Sequence, residues 1–574
     1  MKLWREIDNN NAEKVKSILK SADKHKIILE LNKKLIDGKY PLLQSTEEKV
    51  NNSEIFNLLI NYANKHDIIL NINDKNENER FPLDLSITNN NVEIVKTLID
   101  YANEHHITLK IDDKNNNKRF PLDLSIVNNN IEIVKLLIDY ANKNDIILDL
   151  NKKCEDDGFY PLLEATQKKV NNVEIVKLLM NYANEHHIVL KMNDKSKNER
   201  FPLDLSIVNN NIEMVKLLID YANNNDIILD INEKCENDGN YPLLEATQES
   251  VNNAKIVKLL MDYANEHHII LKINDKNKKE RFPLDFAVVN NNIEIIKLLI
   301  DYANKNDIIL NVNGKCEDDG WYPLLEATQK SVNNAEIVKL LINYANENNI
   351  ILNINDKNEN ERFPLDLSIA NNNNEIVKML MDYANEHRIM LKINDKNKNE
   401  RFPLDLSIVN NNIEIVKLLI DYTNKNNIIL DINEKCEDDG WYPLLEATQE
   451  NVNNAEIVKL IMKYADEHNI ILKVNDTNKK GRNPLYFSII NKNIEIIKLL
   501  IDYAIKHDIV LNLKEDQIKN EITYLARNII GLIKKYQIIG RINIEFCNNS
   551  ILLERFKEIN DNENIPEVTK YKYY

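Results

Sequence analysis

Four stretches of the chain set a thiol beside a run of polar or acidic residues and a glycine. One is Cys154-Glu155-Asp156-Asp157-Gly158, and close copies begin at Cys235, Cys316 and Cys436. Thiolates and carboxylates in such a run could hold zinc or calcium, and paired thiols could form disulfides. The pairs His105-His106, His186-His187 and His267-His268 could bind a metal or act as a pH switch. Arg80, Arg119, Arg200, Arg281, Arg362 and Arg401 each precede a phenylalanine, and Arg482 stands in a slightly altered setting. Such a ladder could grip carboxylates. Phosphate-cradling, nucleophile-elbow and zincin motifs do not occur, so no catalytic constellation is expected.

The spacing of these residues identifies what must position them. Twelve of the 13 prolines precede a leucine in one recurring setting, from Pro41, Pro82, Pro121 and Pro161 to Pro484. Their separations run from 39 (Pro82 to Pro121) to 41 residues (Pro41 to Pro82). Such a metre means one structural unit used many times. Two forms alternate irregularly. The A form reads RFPLDLSIVNNNIEIVKLLIDYAN, and the B form reads GWYPLLEATQKSVNNAEIVKLLINYAN. The B form carries two extra residues, which we place at the end of its first helix.

Local chemistry gives each repeat its parts. Proline suits the first turn of a helix, where its missing N–H leaves nothing unpaired. A short helix through Leu-Asp-Leu-Ser-Ile then stops at an Asn-rich turn, because Asn tolerates left-handed backbone. A second helix follows, with Ile94, Val95, Leu98, Ile99, Tyr101 and Ala102 on one face and Glu93, Lys96 and Asp100 opposite. The segment Ile-Ile-Leu-x-Ile-Asn alternates like a brief strand or finger. One repeat is too small to bury both helices, so neighbours must stack.

These residues resemble the ankyrin repeat. The family's Thr-Pro-Leu-His-x-Ala-Ala is echoed by Phe81-Pro82-Leu83-Asp84-Leu85-Ser86-Ile87. Its Gly-His-x-Glu-Ile-Val-Lys-Leu-Leu-Leu is echoed by Asn90-Asn91-Val92-Glu93-Ile94-Val95-Lys96-Thr97-Leu98-Ile99. The B form keeps the turn glycine, as in Asp319-Gly320-Trp321-Tyr322-Pro323-Leu324. The match runs over 1–513 as about 13 repeats, the first incomplete, with 514–574 a C-terminal helical cap and tail. The expected fold is mainly α, an ankyrin-like solenoid of stacked helix-turn-helix units with short finger loops. Repeats of 39 to 41 residues exceed the family's roughly 33. The family's cross-linking threonine and histidine are replaced, so aromatic packing at Phe81 and Tyr160 is expected instead of their hydrogen bonds. The glycine that should follow the second helix is missing, which predicts a longer helix.

Stacking decides most of the candidate chemistry. Cys154, Cys235 and Cys316 are 81 residues apart, which is two repeats. Packed helices lie about 8–10 Å apart, so these thiols stand on the order of 20 Å from one another. That excludes a disulfide or zinc site within the chain. The acidic run lacks the alternation and distant glutamate of a calcium loop, and reads as a polar turn feeding a helix N-terminus. The histidine pairs read as surface cations at helix C-termini. For the arginine ladder, pairing with Asp84 and its equivalents in the same or adjacent repeat is favoured over a partner's carboxylates.

The position before the B-form tyrosine holds Lys39, Phe159, Asn240, Trp321 and Trp441 in otherwise near-identical copies. That range suits an exposed finger residue, and exposed tryptophan is typical of binding hot spots.

Composition narrows the function. The 574 residues carry a net charge of -17, which argues against nucleic acid and anionic membrane surfaces. It would steer toward a basic or neutral protein partner. The chain has no apolar leader and no 18-residue apolar run. Five cysteines with no intrachain pairing fit a reducing compartment, and hence a cytoplasmic protein. The abundance of Asn, Lys and Ile is that of A/T-rich codons.

The resemblance implies a scaffold that binds protein through the concave side formed by fingers and first helices, with no cofactor, metal or small-molecule substrate. The expected contacts are Trp321, Trp441, Phe159 and the arginines at 80, 119, 200, 281, 362 and 401, with Leu85 and Glu164 on the exposed side of the first helices. Beyond about 515, Ile518, Ile522, Leu525, Ile529, Leu532 and Tyr536 predict one amphipathic helix that caps the last repeat. By analogy with ankyrin proteins that carry a C-terminal adaptor helix, a second reading makes that segment recruit a ubiquitin ligase or other machinery.

Overall fold

A computed structural model describes residues 2–115, 118–316, 319–437 and 439–559. The chain divides into two compact units, 1–278 and 279–574. The first holds seven helix pairs, from Lys2–Asp8 with Ala12–Lys24 to Pro242–Thr247 with Ala254–Glu266. The second holds six, from Pro283–Val289 with Ile293–Lys305 to Pro484–Ile490 with Ile494–Lys506, and then a C-terminal segment. Within each unit first helices pack on first helices of adjacent repeats, and second on second. This is the ankyrin-like stack that the sequence predicts.

Each repeat is built as its residues dictate, with four differences. Proline occupies the first turn of the short helix, as in Pro82–Thr88. Asn90 then adopts a left-handed φ of 55°, and the Asn91 carboxamide accepts the Ile94 N–H to cap the second helix, Val92–Glu104. Ile94, Val95 and Leu98 on that helix are fully buried, each side chain contributing about 1.5–3 kcal/mol.

The first difference is at the helix end. The missing glycine does not remove the left-handed turn; His106 (φ 51°) and Asp145 (φ 53°) adopt it instead. Second, the two extra B-form residues do not extend the first helix. Pro161–Thr166 has 6 residues, one fewer than the 7 of Pro82–Thr88, and the insertion forms a turn that folds Val170 inward.

Third, the Ile-Ile-Leu-x-Ile-Asn segments form no strand among the described residues except after the last repeat's second helix, where the equivalent segment contains the strand Leu511–Lys514. They lie side by side, and asparagine side chains bridge them. Asn433 donates to the Ile471 carbonyl (2.8 Å) and accepts the Lys473 N–H (3.0 Å). Asn32, Asn151 and Asn355 make the same two-point bridge. Asn therefore stands in these segments for a structural reason, which codon bias does not supply. At the corresponding position of the third repeat is Asp112, which has no N–H to donate, and a cavity of about 90 Å³ opens beside it.

Fourth, a hydrogen-bond network does link neighbouring repeats, contrary to the expectation of aromatic packing alone. The Tyr464 hydroxyl of one second helix accepts the Leu430 N–H of the repeat before it (3.0 Å) and donates to the Ile428 carbonyl (3.3 Å). Tyr160 donates to the Lys191 carbonyl at 2.6 Å. Aromatic rings bury against the stack while their hydroxyls tie it together.

The C-terminal segment covers the last repeat, but not as one helix. A short helix Glu515–Ile518, a 3-10 turn Ile522–Tyr524 and a helix Arg527–Ile538 carry the predicted apolar series. All six predicted positions, Ile518 through Tyr536, are buried. These pieces form the crossover that returns the chain to pair strand β1 (Leu511–Lys514) with β2 (Ile542–Glu545) in parallel. Buried Glu515 accepts the Cys547 and Leu552 N–H groups, both at 2.9 Å, and so anchors the helix Ile551–Lys557. The C-terminal residues Tyr571 to Tyr574, expected to fray, lie outside the described residues.

Candidate protein-interaction face

The acidic finger is a tight turn. Cys154 N–H donates to the Phe159 carbonyl (2.6 Å), and the Asp157 carboxylate accepts the Phe159 N–H (3.0 Å). Gly158 takes φ +74°, and a Cβ there would sit 3.1 Å from the backbone nitrogen of Lys197 in the next repeat. Glycine is required for both the left-handed turn and the close approach. The Lys197 N–H donates to the Asp157 carbonyl across that gap (3.0 Å).

All five cysteines are unbridged; Cys154, Cys235, Cys316 and Cys436 are buried. Burial pushes the Cys316 and Cys436 thiols up to about 12, which leaves them poor nucleophiles. Among the described residues no group of three or more His, Cys, Asp or Glu could hold a metal ion. Each first histidine packs its ring at a tilt against the tyrosine four residues earlier, as His105 does on Tyr101 with centroids 4.2 Å apart. His105, His186 and His267 also reach asparagine side chains of the preceding repeat. They belong to the stack.

The arginine ladder proves to be internal where its aspartate is present. Arg80 and Arg362 pair with Asp84 and Asp366, four residues on. Arg281 pairs with Asp285 and lies over the Phe286 ring at 5.0 Å. Arg119 holds Asp157 (2.5 Å) and Glu164 (3.3 Å) of the next repeat. Arg200 grips Asp204 (2.9 Å), Asp238 (2.8 Å) and Glu245 (2.8 Å). Arg401 does the same with Asp405 (2.7 Å), Asp439 (3.2 Å) and Glu446.

Two expected exposures are corrected by this geometry. Glu164 is only 4% exposed, because Arg119 draws it into the junction, and Leu85 is 9% exposed beneath the neighbouring first helices. Desolvation raises these carboxyls: Glu164 and Glu446 to about 7, Glu326 to about 8, Asp123 and Asp204 to about 6.

The variable finger position is half-buried rather than fully exposed. Phe159, Trp321 and Trp441 each keep part of their surface in water, while Asn240 is buried. Trp441 packs against Phe487 of the next first helix, ring centroids 5.2 Å apart. That pair opens onto a cavity of about 430 Å³, lined also by Asp439, Glu450, Lys479, Lys480 and Arg482. A volume of this size falls in the range of ligand-binding clefts.

Arg482 differs from the rest of the ladder. The residue four positions on is Tyr486, not aspartate. Its guanidinium lies over the Tyr486 ring at 5.1 Å. No ion pair joins Arg482, Lys479 or Lys480 to a carboxylate among the described residues.

The middle residue of each Ile-Ile-Leu segment projects into solvent: Ile69 (53%), Val189 (69%) and Ile270 in the first unit, Ile309, Met390 and Ile471 in the second. Within each unit these side chains recur about once per repeat, and in the first unit the series is interrupted at Thr108. Their signal was the run Ile-Ile-Leu itself, in which alternation turns the middle residue away from the core. Among the described residues, no helix is long and apolar enough to cross a membrane.

Comparison with known proteins agrees with this construction. A family model described as ankyrin repeats (3 copies) matches residues 42–147 and a series of overlapping segments from 227 to 512. No curated protein matches the chain. Ankyrin repeats are generally protein–protein interaction modules, and the family is typically non-enzymatic. The matched segments span more than half of the chain, each unit contains stacked helix pairs, and the protein belongs to the ankyrin-repeat family.

Proposed function

We propose that the protein is a cytoplasmic scaffold that captures a partner protein on the finger side of its repeats. Trp441, beside Phe487 at the mouth of the 430 Å³ cavity, carries the reading. A partly exposed tryptophan next to a cleft is how a hot spot is presented. Trp321 and Phe159 occupy the equivalent finger position in other B repeats, and exposed Val127, Val208 and Val409 at first-helix ends add apolar contact. The arginines at 80, 119, 200, 281, 362 and 401 act on the partner indirectly, by fixing the finger bases that carry the aromatics. Unbridged thiols are at home in a reducing compartment.

The test is capture of interacting protein by the full chain and by the Trp321→Ala/Trp441→Ala variant. The reading predicts at least tenfold weaker capture with less than about 1 kcal/mol change in stability, since both rings are partly in water. Undiminished capture would remove the tryptophans from the surface.

A second reading has one observation in its favour. The C-terminal segment exposes the apolar side chains of Tyr524 (72%), Ile538 (64%), Ile539 and Leu553. A recruiting element needs exposed apolar surface. It would make the protein an adaptor that brings its captured partner to a ubiquitin ligase or similar machinery, and loss of recruitment in the Tyr524→Ser/Ile538→Ser variant, with capture retained, is its signature.

A further inference from the structure

We infer that the cavity between the finger of Trp441 and the repeat of Arg482 is a subsite for an acidic side chain, Asp or Glu, in an internal stretch of a partner polypeptide, next to an apolar residue. The inference rests on the scaffold reading above and names the chemistry of its best-formed contact.

Arg482 lacks the counter-ion that its equivalents have. Every other arginine of the A-form ladder has an aspartate four residues on, and pairs with it or with acids of the next repeat. At Arg482 the aspartate is replaced by Tyr486, and the guanidinium lies on that ring with no carboxylate partner. A guanidinium stacked on an aromatic face keeps its planar N–H edge available, and that edge matches a carboxylate in two parallel bonds.

Charge around the cavity fits the same ligand. Lys479 and Lys480 are exposed on its rim. Asp439 also lines it, but is already held by Arg401 at 3.2 Å. Three cations thus face the single uncommitted acid Glu450, in a chain whose overall charge is -17. Trp441 and Phe487 form the apolar wall against which the neighbouring residue would pack.

The backbone distinguishes a side-chain carboxylate from a chain terminus. Capture of a C-terminal carboxylate typically uses a nest of free N–H groups. Here the finger's donors are all taken: Asn478 N–H by the Arg482 carbonyl, Lys479 by the Asp439 carbonyl, and Gly481 by the Asn478 carbonyl. The Lys480 and Arg482 N–H groups both go to the Asn478 side-chain oxygen. The N–H groups of this finger are thus withheld from a chain terminus, and its side-chain cations suit an internal Asp or Glu.

The experiment is a fluorescence-anisotropy titration of the full chain with three labelled probes. The first is acetyl-Gly-Leu-Phe-Glu-Gly-amide, the second has Gln in place of Glu, and the third has Gln and a free C-terminal carboxylate. The inference predicts that the Glu probe binds at least tenfold tighter than either Gln probe, as expected for a charged hydrogen-bonded contact. Arg482→Leu should abolish that preference without moving the melting temperature, and Trp441→Ala should weaken all three probes. Equal affinities, tighter binding of the free terminus, no binding of any probe, or a Glu preference that survives Arg482→Leu would each overturn it. If partner capture still depends on Trp321 and Trp441 in any of those cases, the scaffold reading stands and only the acidic subsite falls.

Discussion

Two junctions of the second unit carry an arginine at the same repeat position and differ in their electrostatics. At Arg401 one guanidinium is surrounded by Asp405, Asp439 and Glu446, two of them buried. At Arg482 the equivalent finger arginine lies over Tyr486 and forms no ion pair among the described residues. The first junction consumes its charge in holding two repeats together. The second leaves its charge facing a cavity. A repeat array gains a site when one copy loses a partner that all the others keep.

The largest expected effect tests the first half of that contrast. Arg401→Leu strips the counter-ion from buried carboxylates and should destabilise by about 3–5 kcal/mol. Arg482→Leu removes no pair and should cost less than about 1 kcal/mol. Urea unfolding followed by circular dichroism measures both, with the midpoint taken for the transition that contains the second unit. Similar losses from the two variants would mean that Arg482 has a partner in solution.

A smaller effect comes from pH. Burial raises Glu446 to about 7 from an ordinary value near 4.5. Its folded form therefore holds a proton over a window where the unfolded form has lost it. The stability this contributes is complete below about 4.5 and is lost as pH rises through about 7. Between pH 8 and pH 6 the melting temperature should rise, and Glu446→Gln should flatten that slope. Glu164 and Glu326 act in the same direction. A slope unchanged in Glu446→Gln would show that the Arg401 cluster is ionised and already satisfied at both pH values.

The sequence made the scaffold legible because stacking is periodic. The proline metre, the apolar stripe from Ile94 to Ala102 and the Asn caps each depend only on residues close in the chain. What depends on the next repeat was harder to read. Glu164 looks like an outward-facing helix residue until Arg119 of the preceding repeat is set beside it. Leu85 carries no mark of the helix that covers it. The variable finger position looked freely exposed, since only three dimensions bring Phe487 against Trp441. Asparagine read as compositional bias because its bridging bonds, such as Asn433 to Ile471 and Lys473, span about 40 residues. The C-terminal apolar series kept its helical spacing across a break, because β1 and β2 pair only after the chain has turned back.

The most direct test rebuilds the missing partner. Tyr486→Asp places a carboxylate four residues after Arg482, where every other arginine of the A-form ladder has one. The account predicts that the new pair closes the subsite: the Glu probe should lose its preference over the Gln probe by about tenfold, while the stack remains folded. An undiminished preference in folded Tyr486→Asp would contradict the claim that Arg482 is available because its aspartate is gone.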